Sequence, residues 1–438
     1  MTGATLQSPD AATLPPRLAA MPPPAPPAGP LVRYHPSHGL ALGAAAASVA
    51  TVGLVRPPGP GNSGIADVFI ALAVAAFVVW AGGARLSLRV PYAIPIALLV
   101  SGGAFGAFAG DHQVLGLLTL AQDVVLFAWC VALANTARTA EHFERIVTVW
   151  VLAATTYAGL MVLASLTGRA VFLGVTLSQD GGRATLTFGD PNMAGSYLVM
   201  SLLLAVAVRH PRSAVARSGV LLLLAVGVIL TGSNGAFLAL GIGLAVCGLD
   251  ALTRRRGVLV SIAFVSAVAC AVVALLAVAG TGRLSLDDVA SDDALGLSVG
   301  RSDESLAWRR RATQYAFELY YDGGPLGAGP ASSVERLRSR PDAEAIELHH
   351  DYLAALVERG IIGAVGILLL TLSLGMKAWS VTNDVLRPDF RDVVARPAAL
   401  FGALIGVLCS GVVYEILHFR HVWALFAVLA ALWLWGRE

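Results

Sequence analysis

The chain has 438 residues, of which 56% are hydrophobic and 13% charged, with a formal net charge of +2 and a mean hydropathy of +0.73. A soluble globular domain carries about 25% charged residues, so there is too little polar surface here to cover a water-soluble body of this size. That excludes a cytosolic enzyme, a disordered chain and a fibrous protein, makes no case for nucleic acid, and leaves a polytopic membrane protein.

Every basic side chain except Lys377 is arginine. With the high Ala and Gly content, this bias points to a GC-rich bacterial genome. Cys130, Cys247, Cys270 and Cys409 each lie in an apolar run without metal-ligand spacing. They read as small buried hydrophobes, not as disulfides or a metal site.

Residues 1–38 are rich in Pro and Ala and include the run from Met21 to Pro27. Such a stretch cannot bury a core and reads as a disordered cytoplasmic tail. It lacks the basic start and immediate apolar core of a cleavable signal peptide. Residues 39–438 read as the transmembrane domain.

From Gly39 onward, apolar runs of about the length that spans a bilayer as a helix recur at 39–55, 65–83, 90–109, 113–134, 145–167, 191–208, 218–232, 235–250, 257–279, 360–378, 397–416 and 421–435. The fold expected is all-α, with about 12 transmembrane helices. Spans seven and eight share a tight polar turn, Gly232 to Gly235. An equally tight link, His418 to His421, is expected between the last two. Arginines set the orientation. With the N-terminus inside, Arg85, Arg89, Arg138, Arg145, Arg209, Arg212, Arg217, Arg254, Arg255, Arg256, Lys377, Arg387, Arg391 and Arg396 fall in cytoplasmic loops. Both termini are then cytoplasmic.

One external loop, 280–349, is long and charged. Its segment Ser305–Tyr321 reads as an amphipathic helix with Leu306, Ala312, Tyr315, Ala316 and Leu319 near one face, stopped by Gly323-Gly324-Pro325. A second helix is expected to start near Glu344 and run into span ten. Long loops of this kind in a compact protein are usually functional.

The chemistry-bearing residues gather on this external side. Asp190-Pro191-Asn192 reads as a helix start, with Asp190 as cap. Arg183 precedes it and is either a solvated loop residue or a binding group. Ser233-Asn234 reads first as turn chemistry. Arg301 and the run Trp308-Arg309-Arg310-Arg311 fit either lipid headgroups or a phosphate, which guanidinium matches in bidentate fashion. Trp308 is either an interfacial anchor or a sugar-stacking platform. His349 and His350 stand beside Asp351 just above span ten, where a neutral histidine near a carboxylate is a plausible general base. Asp123, inside span four, is expected to bond a neighbouring helix. Glu415 with His418, Arg420 and His421 reads either as a site or as a self-contained salt-bridged cluster.

The stretch His349-His350-Asp351-Tyr352-Leu353, followed by Glu358-Arg359-Gly360-Ile361-Ile362-Gly363, resembles the H-N-D-Y-L…E-x-G-x-x-G signature of the O-antigen ligase and polymerase family. Trp308 through Pro325-Leu326-Gly327-Ala328-Gly329 resembles that family's W…P-L-x-G-x-G stretch. Phe188-Gly189-Asp190-Pro191-Asn192 resembles its F-x-[ND]-P-N element. The resemblance implies a metal-independent glycosyltransferase without cofactor, acting at the outer face of the bacterial cytoplasmic (inner) membrane in surface polysaccharide assembly. The donor would be an undecaprenyl-pyrophosphate-linked glycan and the acceptor a hydroxyl of a lipid, glycan or protein. It implies a catalytic role for His349, with His350 as the alternative since it stands where the family commonly has Asn. It implies pyrophosphate binding by Arg183, with Arg301 or Arg309 as the arginine near the tryptophan. Asn192, Trp308 and Asp351 complete the expected substrate-binding set. Ser233-Asn234-Gly235 departs from the family's Ser-Arg-Gly. Two other classes compete: a secondary transporter, which sparse midplane charge and absent repeat symmetry disfavour, and a non-catalytic cell-envelope assembly protein.

Overall fold

In the computed structural model the residues described are 37–55, 64–167, 171–172, 175–176, 178–179, 183–267, 270, 302–339, 348–412 and 414–438. Residues 1–36 of the Pro/Ala-rich tail, and residues 280–301 and 340–347 of loop 280–349, fall outside them.

The described chain is predominantly helical. Its helices are α1 (Ser37–Ala50), α2 (Ile65–Gly83), α3 (Ala93–Ala109), α4 (Gln113–Thr136), α5 (Ala140–Thr167), α6 (Pro191–Ala207), α7 (Ala214–Thr231), α8 (Asn234–Arg256), α9 (Val258–Ala267), α10 (Ser302–Gly323), α11 (Ser332–Arg338), α12 (Asp351–Asn383), α13 (Pro388–Val393), α14 (Pro397–Ser410) and α15 (Arg420–Trp435). Each apolar run of the sequence carries a helix. Six of these (α2, α4, α5, α7, α8 and α12) are long and apolar enough to cross a membrane, and six further apolar helices are shorter. Apolar side chains cover the outside as well as the inside: Ile94, Leu222 and Leu259 are 73, 67 and 83% exposed. A helix set apolar on both faces suits hydrocarbon surroundings rather than water. The protein is a polytopic all-α membrane protein.

Local chemistry sets several boundaries. Asp190 caps α6 as expected, its Oδ1 accepting the N–H groups of Asn192 (2.6 Å) and Met193 (3.2 Å). Gly232, at φ 54°, ends α7, and the Ser233 hydroxyl caps α8 by accepting the Ala236 N–H. Helix α10 contains the predicted amphipathic segment. Ala312, Ala316 and Leu319 are buried, and α10 packs against the start of α12, where Ala354 and Val357 complete the cluster. Buried tryptophans have polar partners, as they must away from water: Trp129 Nε1 donates to Ser48 and Trp150 Nε1 to Ser201, both at 2.9 Å.

Helix α12 is broken at Gly360, whose φ of 61° no side-chain-bearing residue adopts readily. The break withdraws backbone groups from the helix ladder, and the strap Pro325–Gly329 takes them up. Ala328 and Gly329 donate N–H groups to the carbonyls of Val357 (3.0 Å) and Glu358 (2.9 Å). The N–H of Ile361 donates to the Pro325 carbonyl (3.0 Å). The strap fits because a Cβ on Gly360 or Gly327 would collide with the opposing backbone. Behind it, α3 approaches α12 along glycines: a Cβ on Gly102 would stand 2.6 Å from the Arg359 carbonyl, and one on Gly106 2.5 Å from that of Glu358. Such small-residue contacts let apolar helices pack backbone to backbone.

Three local expectations are corrected. The helix into span ten does not begin near Glu344, itself outside the described residues: residues 348–350 are non-helical, and α12 starts at Asp351 after His349 takes φ 51°. The two histidines therefore precede the helix. The last two apolar helices are not joined by a tight link at His418. Helix α14 stops at Ser410, and residues 411–419 form a non-helical connection to α15. Among the cysteines, Cys130 is buried, Cys247 and Cys409 are half-buried, and Cys270 is exposed instead of buried.

Candidate functional site

The candidate groups meet at the end of the helix set that holds the N-termini of α6, α8, α12 and α15. Arg183 sits on a two-residue strand, β2 (Arg183–Ala184), paired antiparallel with β1 (Ser178–Gln179). Its Nε donates to the Thr231 carbonyl at the end of α7 (2.8 Å), and its Nη2 reaches Asn192 Oδ1 (3.4 Å). The same Oδ1 accepts the Ser233 hydroxyl (2.8 Å). One guanidinium thus lies beside the positive ends of α6 and α8, an arrangement that favours an anion.

The histidine segment lies next to it. The His349 ring stacks on Tyr414, with centroids 4.9 Å apart and planes at 23°. The Tyr414 hydroxyl donates to Asp190 Oδ2, so a chain of contacts runs from His349 through Tyr414 to the α6 start that carries Asn192. His349 holds a left-handed backbone, and such conformations in non-glycine residues cluster at functional sites. His350 has a different task. Its Nδ1 accepts the Leu353 N–H (3.2 Å) as the cap of α12, and burial pushes its pKa below the usual histidine value. Asp351 is 8% exposed and pins the connection before α15: its carboxylate accepts the N–H groups of Ile416 (3.0 Å) and Leu417 (3.2 Å).

Connection 411–419 divides the region. Tyr414, Ile416 and Phe419 line a small pocket with Asn192, Ser196 and Ser233. Glu415, Leu417 and His418 line the opposite side, a cavity of about 220 Å3 bounded also by α3, α4 and α12. The alternation from 414 to 417 is that of an extended segment, which sends successive side chains to opposite faces. Ion pairs brace both sides. Asp123 is bonded to a neighbouring helix, as expected, through Arg359 of α12 (2.6 Å), and both face the cavity. Arg420 forms a fork with Asp67 of α2 (2.7 and 2.6 Å), so it reaches another helix instead of closing a cluster with Glu415. His418 lines the cavity. Its pKa is lowered by its enclosed surroundings, by Arg420 and by His349, against the opposing pull of Asp190.

Of the predicted site residues, Arg183 and Asn192 are in direct contact, and His349 joins them through Tyr414 and Asp190. His350 and Asp351 are adjacent and hold backbone. Arg301 lies outside the described residues. Trp308 and Arg309 fall on α10, and their side chains lie outside the described residues. Tyr414 was not singled out from the sequence. The signal available was only its place beside Glu415. Among the described residues, no three His, Cys, Asp or Glu side chains stand together as a metal site.

None of the curated proteins compared with the chain matches it. Residues 219–368, about a third of the chain, match the family model described as O-antigen ligase. The matched region runs from α7 through the break in α12. It contains Ser233, His349, His350 and Asp351 and leaves Arg183 and Asn192 outside. Over that region the chain is similar to the O-antigen ligase family, and its helical membrane architecture accords with the match.

Proposed function

We propose that the protein transfers a glycan from an undecaprenyl-pyrophosphate carrier to an acceptor hydroxyl at the outer face of the bacterial cytoplasmic membrane, in surface polysaccharide assembly. In this reading the twelve apolar helices all span, both termini are cytoplasmic, and the site end faces outward. The observation that carries it is the convergence of Arg183, Asn192 and Ser233 with the His349–Tyr414–Asp190 chain at one end of the helices.

A diphosphate is a good leaving group, so the site needs positive charge more than a strong acid. Arg183, fixed by Thr231 and Asn192 beside two helix N-termini, supplies it without a metal. His349 takes the acceptor's hydroxyl proton. The freed oxygen attacks the anomeric carbon, the bond from that carbon to the diphosphate oxygen breaks, and the electron pair leaves with undecaprenyl pyrophosphate. His349 is preferred to His350 because His350 Nδ1 is held by the cap of α12. Arg301 and Arg309 supply further charge in this reading, and Trp308 an aromatic face.

The test is surface glycan analysis in a deletion strain carrying His349→Ala or Arg183→Ala at normal protein level. Loss of surface glycan with accumulation of the lipid-linked form is expected in both. Single repeat units would mark a polymerase, and long chains a ligase. Unchanged glycan in both strains sinks the proposal. A solute-uptake defect with intact glycan would favour a transporter instead.

A further inference from the structure

The cavity on the far side of connection 411–419 is not accounted for by the diphosphate chemistry. Its wall combines apolar groups (Ile96, Leu99, Leu417) with four carboxylates (Asp123, Asp351, Glu358, Glu415), one guanidinium (Arg359) and His418. Asp351 is engaged by backbone N–H groups, Glu358 by the Ser333 hydroxyl and Asp123 by Arg359. The Asp123–Arg359 pair sits deeper, with side chains 20 and 15% exposed. Asp123 lies ten residues into α4, roughly 15 Å from its start at 1.5 Å per residue. An ion pair at that depth facing an open volume is costly to keep unless the volume is polar and used.

The sign of the wall selects its occupant. The Arg359 guanidinium of this wall is already paired with Asp123, and Asp351 and Glu415 add negative charge, so a phosphate or diphosphate is disfavoured here and drawn to Arg183. Hydroxyl groups suit it: carboxylates accept from them, and a guanidinium donates to them. Ordinary ligand pockets enclose roughly 300–1,000 Å3, so about 220 Å3 admits one small ring and not an oligosaccharide. Glu415 and His418 of the wall follow Tyr414 on the same connection, and His349 stacks on Tyr414.

We propose that this cavity holds one uncharged sugar residue of the acceptor, bonded by Glu415, His418 and the Asp123–Arg359 pair and presenting a hydroxyl past the rim to His349. The proposal rests on the transferase reading for the word acceptor, but the cavity's preference for uncharged over anionic sugars stands apart from it. Connection 411–419 then separates two substrates of opposite chemistry, the anionic donor head on the Arg183 face and the neutral hydroxyl on the other.

The test uses the purified full-length protein in detergent. Its melting temperature is followed with glucose, galactose, mannose and N-acetylglucosamine, and with the 6-phosphates of the same sugars. Sugars also stabilise proteins by exclusion from their surface, so the readout is the difference from two variants that fill the cavity from opposite walls, Thr119→Phe and Ala355→Phe. Either variant suffices if the other does not fold. The expected result is an upward shift with at least one uncharged sugar, absent with its 6-phosphate and lost in the filled variant. No shift beyond that of the filled variant, or a larger shift with the phosphates, overturns the proposal. Sugar binding in a protein whose His349→Ala and Arg183→Ala forms leave surface glycan unchanged would keep the cavity and defeat the transferase reading. Glycan loss in those strains without a sugar shift would do the reverse.

Discussion

The two ends of the helix set use polar groups in opposite ways. At the end away from the site, side chains close the structure. Asn135 holds both backbone groups of Arg89 (2.6 and 3.1 Å), Arg138 lies 4.7 Å over the Trp435 ring, and Arg437 bonds Asp384 (2.6 Å). Short bridges, Val208 to Val394 and Leu386 to Arg437, tie the chain segments there. At the site end the connections are longer and ionisable groups turn inward onto a cavity: Asp123, Arg359 and Glu415. Closing contacts tolerate replacement because several act together, whereas an inward group such as Asp123 depends on a single partner, Arg359.

The largest effect is expected at the two adjacent histidines. His349→Ala should lower transfer by about 10²–10⁴-fold, the usual worth of a positioned base. His350→Asn should keep transfer within about tenfold, because Asn is a good helix cap and His350 acts as the cap of α12. Initial rates in membranes, normalised to protein, check both. A larger loss in His350→Asn than in His349→Ala would reverse the assignment.

Next comes the break in α12. Gly360→Val adds strain at φ 61° and a collision with the Pro325–Gly329 strap. About 2–5 kcal/mol of destabilisation is expected from strain and overpacking together. The readout is the yield and melting temperature of detergent-purified protein. Near wild-type stability would mean that the strap is not held as described. Asp351→Ala should cost less, about 1–3 kcal/mol, by leaving the N–H groups of Ile416 and Leu417 without their acceptor. Protease cleavage within 411–419 should rise with it.

These positions also show where sequence reading stops. The twelve apolar runs were legible because helix length and hydropathy are local properties. So was the Asp190-Pro191 cap, which uses only neighbouring N–H groups. The start of α12 was misplaced because a histidine cap preceded by a left-handed residue leaves no trace in helix propensity. The connection 411–419 was read as helix up to 416 because Gly411, Val412 and Ile416 are apolar. What opens it is Asp351, 65 residues away, which takes the N–H groups a helix would need. The Asn192–Ser233 bond and the stacking of His349 on Tyr414 depend on tertiary placement alone. The motif glycines of Pro325–Gly329 and Gly360 were visible, but their backbone fit was not. Residues that match a transferase signature turn out, in part, to build the strap that shapes the site.

A smaller effect follows from pH. His418 and His350 both have pKa values lowered in the folded protein. A histidine held below its unfolded value favours folding while it stays neutral. That contribution is complete above the unfolded pKa of about 6.5 and is lost as pH falls towards the folded value, about 4 for His418. The melting temperature should therefore drop over that window, and His418→Gln should flatten the drop. Arg437→Ala marks the contrast at the other end. It removes one ion pair, but Leu386 and Arg437 remain paired through backbone, and Arg387 still donates its N–H to the Gly436 carbonyl (2.9 Å). Transfer rate should be unchanged and the pH dependence of melting preserved. A transfer defect in Arg437→Ala at normal protein level would show that the two ends are coupled through α12 and α15, and that closing contacts also shape the site.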